Sequence, residues 1–155
     1  MRRRDREITD HKKIEEILGA CQVVSVAFAG ETPYVIPMSY GFVVRDGRFT
    51  LYMHGAHEGE KIERIKANPT AAFSMYTGER IYGKGDGACT YSTSFDSVCG
   101  KGEFRFAEGE EKTLGLAAIM AHYAPGREFT FDARVLEHTM AAEITVTKIT
   151  GKHHD

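Results

Sequence analysis

The residues with the clearest chemical potential lie in the stretch 54–61, where a predicted strand passes through two glycines into a short predicted helix. His54 ends the strand, Gly55 and Gly59 leave the backbone open to a ligand, and Lys61 stands in the first helical turn. A helix start carries unpaired N–H groups and a partial positive charge. A lysine bound to a phosphate oxygen adds about 1.5–3 kcal/mol. The stretch therefore predicts a phosphate or phosphomonoester site, with an ordinary glycine turn and a solvated lysine as the alternative.

Two histidines, His54 and His57, are three residues apart and could face one pocket. Zinc would need two further ligands, and no Cys or His stands at metal-ligand spacing. We therefore expect no metal site. We predict instead that His54 is a single functional histidine, acting as a proton donor or a ligand contact at the strand end. A histidine that is merely hydrogen-bonded at a turn is the alternative.

Other patterns argue against several common enzyme classes. The glycine-rich stretches 83–87 and 100–102 lack the Gly-Lys-Ser/Thr ending of a P-loop. Neither Ser94 nor Ser97 lies in a Gly-x-Ser-x-Gly elbow, so a hydrolase triad is not expected. The cysteines form no Cys-x-x-Cys pair and are interpreted as reduced thiols (Cys21, Cys89, Cys99).

Composition narrows the class of protein further. The 155 residues are 42% hydrophobic and 27% charged with a net charge of -2, which predicts one globular domain over 1–155 and argues against nucleic-acid binding. No apolar run is long enough for a bilayer, and no apolar stretch follows the arginines at 2–4, so we expect no membrane association, no secretory signal and a cytoplasmic location. Sixteen glycines and no tryptophan suggest many turns.

The periodicity predicts a mainly β, antiparallel fold with flanking helices. A helical stripe runs from Ile14 to Cys21 behind an N-cap at Thr9 or Asp10, and a short helix carries Ile62 and Ile65. A longer helix is expected over 108–123. Strands are predicted over 22–29, 34–44, 49–54, 71–77, 133–137 and 142–149, with extended chain over 91–106 broken near Ser94 and a loop over 81–87. So many hairpin-linked strands in one small domain favour closure into a barrel.

These segments, taken in order, resemble a known family. They are residues 33–41 (PYVIPMSYG), 51–56 (LYMHGA) followed by Gly59 and Lys61, and 96–102 (DSVCGKG). The ordered set is similar to the nitroimidazole-resistance (Nim-type) branch of the pyridoxamine 5'-phosphate oxidase-like, FMN-binding split barrels. The resemblance runs over nearly the whole chain.

The resemblance implies a six-stranded antiparallel split β-barrel, a homodimer, and FMN held in a groove between the two protomers. It places the backbone of four residues along the isoalloxazine ring (Pro37, Met38, Ser39, Tyr40). Beside the ring and ribityl chain it places Tyr52, Met53 and His54. Lys61 and the helix start at Gly59 would hold the phosphate, and Ser97 and Val98 would complete the pocket.

The chain departs from the family pattern at two positions. Glu60 precedes Lys61 where relatives often carry a second basic residue, and Asp96 stands where a basic residue is common. Both changes remove positive charge, which Arg64 could restore.

The leading functional hypothesis is an FMN-dependent oxidoreductase that reduces a small organic substrate, such as a nitroaromatic or nitroimidazole, with a nicotinamide donor. The absence of an obvious acid–base pair favours an alternative, a non-catalytic flavin store, carrier or sensor. A nucleic-acid-binding barrel is a third reading, and the net charge and the lack of interleaved aromatic and basic residues argue against it.

Overall fold

The computed structural model describes residues 3–155, so Met1 and Arg2 of the basic start lie outside the described residues. Four α-helices are present in the described residues: α1 (His11–Ala20), α2 (Glu60–Ala67), α3 (Gly109–Tyr123) and α4 (Ala133–His138). Helix α1 begins where the Asp10 carboxylate accepts the backbone N–H of Lys12 at 2.9 Å, which selects Asp10 as the N-cap. None of the helices in this described part combines the length and the apolar composition that crossing a bilayer requires.

In the part of the chain that the structure describes, eight strands form one sheet in which every pairing is antiparallel. They are β1 (Glu7–Ile8), β2 (Val24–Phe28), β3 (Tyr34–Met38), β4 (Gly41–Arg45), β5 (Arg48–Gly55), β6 (Thr70–Tyr82), β7 (Ser92–Phe106) and β8 (Met140–His154). The order across the sheet is β3-β2-β6-β7-β8-β5-β4, and β1 pairs with β8.

The sheet closes because its two end strands are neighbours in the chain. Only Ser39 and Tyr40 separate β3 from β4, which occupy opposite ends of the strand order. A link this short reaches on the order of 10 Å, so the sheet must curl until its edges come close together. The predicted antiparallel split barrel is therefore confirmed, with more strands than the expected six.

The barrel interior is filled by alternate residues of the strands and is sealed by α1 and α2. Both helices turn their apolar stripes inward, burying Ile14, Ile17 and Leu18 from α1 and Ile62 and Ile65 from α2. The strands contribute the remaining core, mostly Val, Leu, Ile, Met and Phe (Val24, Val26, Phe49, Leu51, Met53, Phe73, Met75, Val98, Ile144). Helix α3 packs outside the barrel on β4 and β5. Alternation between core and surface thus sets which strand residues can reach a ligand.

The structure corrects the predicted segment 133–137, which is helix α4 rather than a strand. The Asp132 carboxylate accepts the backbone N–H of Arg134 at 2.8 Å and faces that of Val135 at 3.4 Å, which starts a helix. Val135 is 63% exposed, so the apolar residues here do not alternate into a core. The N-cap outweighed the β propensity.

Three strand boundaries also differ from prediction. The segment 34–44 is two strands rather than one, because the chain turns at Ser39 and Tyr40. Strand β6 continues through Ile81 and Tyr82 into the predicted loop, and β7 passes Ser94 without a break. The register shifts lie elsewhere: one in β6 between Thr77 and Arg80, around the left-handed Gly78, and one in the β7–β8 ladder between Lys101 and Gly102.

Candidate functional site

The turn from β5 into α2 folds the Lys61 side chain back onto the end of the strand. A Cβ atom at Gly55 would lie 2.9 Å from Lys61 Cε and 3.3 Å from Lys61 Nζ, so a larger residue here would displace the end of the lysine side chain. Gly59 is the N-cap of α2, has a φ of 104°, and makes no side-chain cap. The open N–H groups of this helix start and the nearby ammonium form a donor set that fits a phosphate group.

The acidic residue beside Lys61 is neutralised within its own helix. Glu60 Oε1 lies 2.7 Å from Arg64 Nη2, and Arg64 Nη1 also donates to the Thr32 carbonyl at 2.7 Å. The Arg64 guanidinium stands 4.9 Å from the centroid of the Tyr34 ring. Arg64 is therefore held by the loop after β2, and Lys61 is the cation at the Gly55 corner.

The segment Pro37–Tyr40 presents backbone at the barrel edge. Strand β3 ends the sheet order and pairs only with β2, so within residues 3–155 no strand pairs with its other edge. Pro37 and Ser39 are exposed, while Met38 packs against the core. This edge can offer main-chain hydrogen bonds to a flat polar ligand.

Tyr40 anchors that segment to the helices rather than lining it. Its buried phenol donates to the Leu18 carbonyl at 2.5 Å, and its backbone N–H donates to the Tyr123 hydroxyl at 3.3 Å. Burial raises the pKa of Tyr40 above its ordinary value, so the phenol stays protonated at neutral pH. The phenol and the backbone N–H of Tyr40 are therefore both engaged within the protein.

His54 stands exposed at the end of β5, next to the Lys61 corner. Gly41 pairs with Tyr52 in the β4–β5 ladder, so the turn residue Ser39 leaves the sheet at the same end as His54. His57 is separate from it in role, because its Nε2 lies 3.2 Å from the Glu137 carbonyl of α4. Of the two histidines, His54 is the one whose exposed side chain is available to act as a proton donor.

Tyr52 and Met53 are both buried, on opposite faces of β5. Met53 lies in the barrel core, whereas the Tyr52 ring is covered by α3 and its hydroxyl donates to Glu111. Burial, and next the hydrogen bond to Glu111, raise the pKa of Tyr52. Within one protomer these two side chains support the strand end and do not form an open ligand surface.

Ser97 and Val98 are far from the Lys61 corner within one chain. Ser97 pairs with Lys152 of β8 and His54 pairs with Ala141 of the same strand. Eleven positions along β8 correspond to about 35 Å of strand. Val98 is fully buried and Ser97 half-buried. The structure therefore does not bring these two residues to the Lys61 corner of their own protomer.

Asp96, the second departure from the family pattern, is paired across the ladder. Its Oδ1 lies 2.7 Å from Nδ1 of His153, its direct partner on β8. The neighbouring Lys152 ammonium stands 4.9 Å from the Phe95 ring centroid. The charge of Asp96 is thus compensated locally when His153 is protonated.

One outer face of the sheet is exposed and carries small and apolar side chains. It runs across β3, β2, β6 and β7 in one row of aligned residues (Pro37, Ser25, Ser74, Cys99). Val23, Val35 and Tyr76 flank the row and are 48%, 57% and 63% exposed. We refer to these seven residues as the open sheet face; such apolar exposure is typical of an interaction surface.

Sequence reasoning missed a polar cluster beneath α3. Glu143, 2% exposed, pairs with both Tyr52 and Arg105 in the sheet, and its Oε1 lies 2.7 Å from Arg105 Nη2. Its Oε2 has no hydrogen-bond partner among residues 3–155. The alternation of β8 places Glu143 among apolar residues, but only the tertiary structure shows that α3 covers it.

Comparison with known proteins places this geometry in a family. A family model described as pyridoxamine 5'-phosphate oxidase matches residues 10–153. No curated protein sequence matches the chain. A solved structure of a candidate 5-nitroimidazole antibiotic resistance protein from Bacteroides thetaiotaomicron is 29% identical, with a TM-score of 0.81 over 95% of this chain and 86% of that one.

Two more distant solved structures share the fold. The FAD and heme binding protein of Mycobacterium smegmatis is 18% identical, with a TM-score of 0.82 over 97% of this chain and 74% of that one. A flavocytochrome of Azotobacter vinelandii is 19% identical, with a TM-score of 0.80 over 100% of this chain and 72% of that one. The family model matches nearly the whole chain, and the Bacteroides structure adds a similarity to the nitroimidazole-resistance branch. This protein therefore belongs to the pyridoxamine 5'-phosphate oxidase family.

Proposed function

We propose that this protein is an FMN-dependent oxidoreductase that reduces a small organic substrate at a flavin bound between two copies of the chain. The observation that carries the proposal is the Lys61 corner, where an ammonium, an uncapped helix start and two glycines converge. Membership of a flavin-binding family supports it. The similarity to a nitroimidazole-resistance protein makes nitroaromatic compounds the first substrate class to test.

The residues present fit an FMN phosphate. Gly55 and Gly59 keep side-chain bulk away from the corner, and Lys61 would supply the positive charge. The pairing of Glu60 with Arg64 keeps the adjacent carboxylate from competing for Lys61. Glu60, in place of the basic residue of the family pattern, should therefore weaken binding of the FMN phosphate less than the sequence alone suggests.

The residues also fit the ring of a flavin. When bound, a flavin accepts and passes on electrons, and negative charge builds on its polar edge during reduction. The unpaired edge of β3 would direct main-chain groups from Pro37, Met38 and Ser39 toward that edge. Tyr40, held by Leu18 and Tyr123, would keep this segment rigid. His54 would donate a proton or orient the substrate beside the ring.

A second copy of the chain completes the proposed site. Ser97 and Val98 cannot reach the Lys61 corner of their own protomer, but they lie on β7 beside the open sheet face, which also contains Pro37. Packing two such faces together would cover exposed Val35 and Tyr76. We therefore propose a homodimer in which each protomer contributes to both flavin sites.

A non-catalytic flavin carrier or sensor is the second candidate function. It is favoured by the burial of Tyr40 and Tyr52, whose raised pKa values keep them protonated. Among the proposed site residues of the described chain, this leaves only His54 and Lys61 as accessible ionisable groups. Steady-state turnover separates the two functions, because only an enzyme oxidises a nicotinamide with a nitroaromatic or quinone acceptor.

The proposed function is tested by purifying the chain and recording its absorbance, its stoichiometry with FMN, and its mass in solution. We expect a yellow dimer that binds one FMN per protomer and consumes a reduced nicotinamide when a nitroimidazole is added. Colourless protein that does not quench added FMN would overturn flavin binding. Bound flavin without turnover of any acceptor would favour the carrier.

A further inference from the structure

A cavity of about 350 Å³ opens beside the Lys61 corner, between α2 and the starts of α3 and β8. This size lies in the range of small-molecule pockets. Its walls include the apolar side chains of Ile62, Phe106 and Met140. The ionisable side chains that line it are those of His57, Lys66, Glu108 and Lys112.

The cavity borders the corner assigned to the flavin phosphate, and Met140 lies between them. Met140 pairs with Gly55 across the β5–β8 ladder. Its terminal methyl lies 3.5 Å from the Cβ position of Gly55 over which Lys61 is folded. Ile62, which follows Lys61 in α2, forms another wall. The cavity is therefore the neighbouring space that a ligand tail extending past Lys61 would reach.

The charges of the cavity favour an anion with an apolar part. In the chain from residue 3 onward, neither Lys66 nor Lys112 forms an ion pair with an acidic side chain. Apart from His57, the two lysines and Glu108 carry one net positive charge. A bare inorganic anion would use the lysines and leave the apolar wall empty, whereas a nucleotide would use both.

We propose that this cavity binds the adenylate part of FAD, so that the chain accepts FAD as well as FMN. The proposal rests on the proposed flavin function, since it places the first phosphate at Lys61. The second phosphate would then face Lys66 and Lys112, and the adenosine would lie against Ile62 and Phe106. In this proposal the cavity contacts only FAD, because FMN has no adenylate part to place in it.

The test compares riboflavin, FMN and FAD binding to the flavin-free chain by fluorescence titration. The double variant Lys66→Ala/Lys112→Ala should lower FAD affinity by about tenfold or more, because each charge-assisted contact is worth at least a tenfold change. FMN affinity should be unchanged, which also shows that the variant is folded. The matched control is Lys12→Ala/Lys13→Ala, which removes the same charge from α1 and should leave all three ligands unaffected.

The outcomes separate the two proposals. Absence of binding for all three ligands would overturn the flavin function itself. Tight FMN binding with FAD excluded would overturn the adenylate assignment and leave the flavin function intact. Equal FAD losses in the cavity and control variants would also overturn it, because the effect would then be one of net charge.

Discussion

Lys61 lies directly over the bare backbone of Gly55, with its Nζ 3.3 Å from the position that a side-chain Cβ would occupy. The two residues are six apart and belong to different elements, and the turn between them brings the lysine side chain back over the glycine. Glu60 does not hold this ammonium, because its carboxylate is paired with Arg64 at 2.7 Å. The corner therefore has a positioned cation with no acidic partner among the ion pairs of residues 3–155.

Lys61→Ala should weaken FMN binding and leave riboflavin binding nearly unchanged, because only FMN carries the phosphate. We expect the FMN dissociation constant to rise by about tenfold or more, the equivalent of one charge-assisted hydrogen bond. Fluorescence titration with both ligands measures the effect. Lys148→Ala, an exposed lysine of β8, is the control. Equal losses for both ligands would refute the phosphate role.

His54→Ala should lower turnover while the flavin stays bound, since His54 stands exposed at the strand end and not under the phosphate. The measurement is kcat with a nitroaromatic acceptor, together with the flavin absorbance of the purified variant. His138→Ala, exposed at the end of α4, provides a histidine control. A colourless His54 variant would instead make this residue part of the cofactor site.

Gly41→Ala should destabilise the protein, because its Cβ would lie 2.3 Å from backbone atoms of Ala118 and Ile119 in α3. Backbone cannot move aside as a side-chain end can, so we expect a loss of about 1–3 kcal/mol in the free energy of unfolding. Urea denaturation measures it. The control is Gly19→Ala in α1, where the added Cβ would meet no atom within 4 Å in the described residues other than those of its own helix backbone and chain neighbours. That change should stabilise the helix by about 0.5–1 kcal/mol, and a Gly41 variant as stable as the parent would contradict the close packing of α3.

The Arg105–Glu143 pair should respond unequally to the removal of its two members. Glu143 is 3% exposed and Arg105 is 69% exposed at their side chains. Arg105→Ala leaves a buried carboxylate without its partner and should cost about 1–3 kcal/mol. Glu143→Gln leaves only a solvated guanidinium and should cost less, as measured by urea denaturation. A larger loss from Glu143→Gln would contradict this account.

Tyr52→Phe should reduce the alkaline sensitivity of stability. The pKa values of Tyr52 and Tyr40 are raised in the folded state, first by burial, while an unfolded tyrosine titrates near pH 10, roughly its reference value. The contribution of these two phenols to the free energy of unfolding is therefore complete below about pH 10. It falls as the pH rises above that value, because the phenols of the unfolded chain then lose their protons first.

In the Tyr52→Phe variant one of these phenols is absent, so the free energy of unfolding should decline less steeply above that pH. At neutral pH the variant should lose about 1 kcal/mol with the hydrogen bond to Glu111. Urea denaturation at neutral and alkaline pH measures both effects. An unchanged alkaline slope would show that Tyr52 ionises as freely in the folded protein as in the unfolded one.

Local chemistry explains which elements could be predicted from the amino-acid order. The apolar spacing from Ile14 to Cys21, the cap at Asp10 and the glycines around Lys61 act within a few residues. Helix α1 and the turn that carries Lys61 could therefore be predicted from the sequence. The β-forming residues of segment 133–137 predict a strand, and that prediction is wrong. The N-cap at Asp132 outweighs them and starts a helix.

The sequence by itself determined the alternating strands, the helix starts, the family pattern and the Gly55–Lys61 corner, since each depends on residues close together in the chain. Only the tertiary structure decided that Tyr52 is buried under α3, that Glu60 is paired with Arg64, and that Ser97 lies far from its own Lys61. The physical reason is barrel closure, because curling the sheet brings β3 and β4 together at its edges. This closure sets the spatial neighbours of the side chains, and the spacing of residues along the chain does not encode those neighbours.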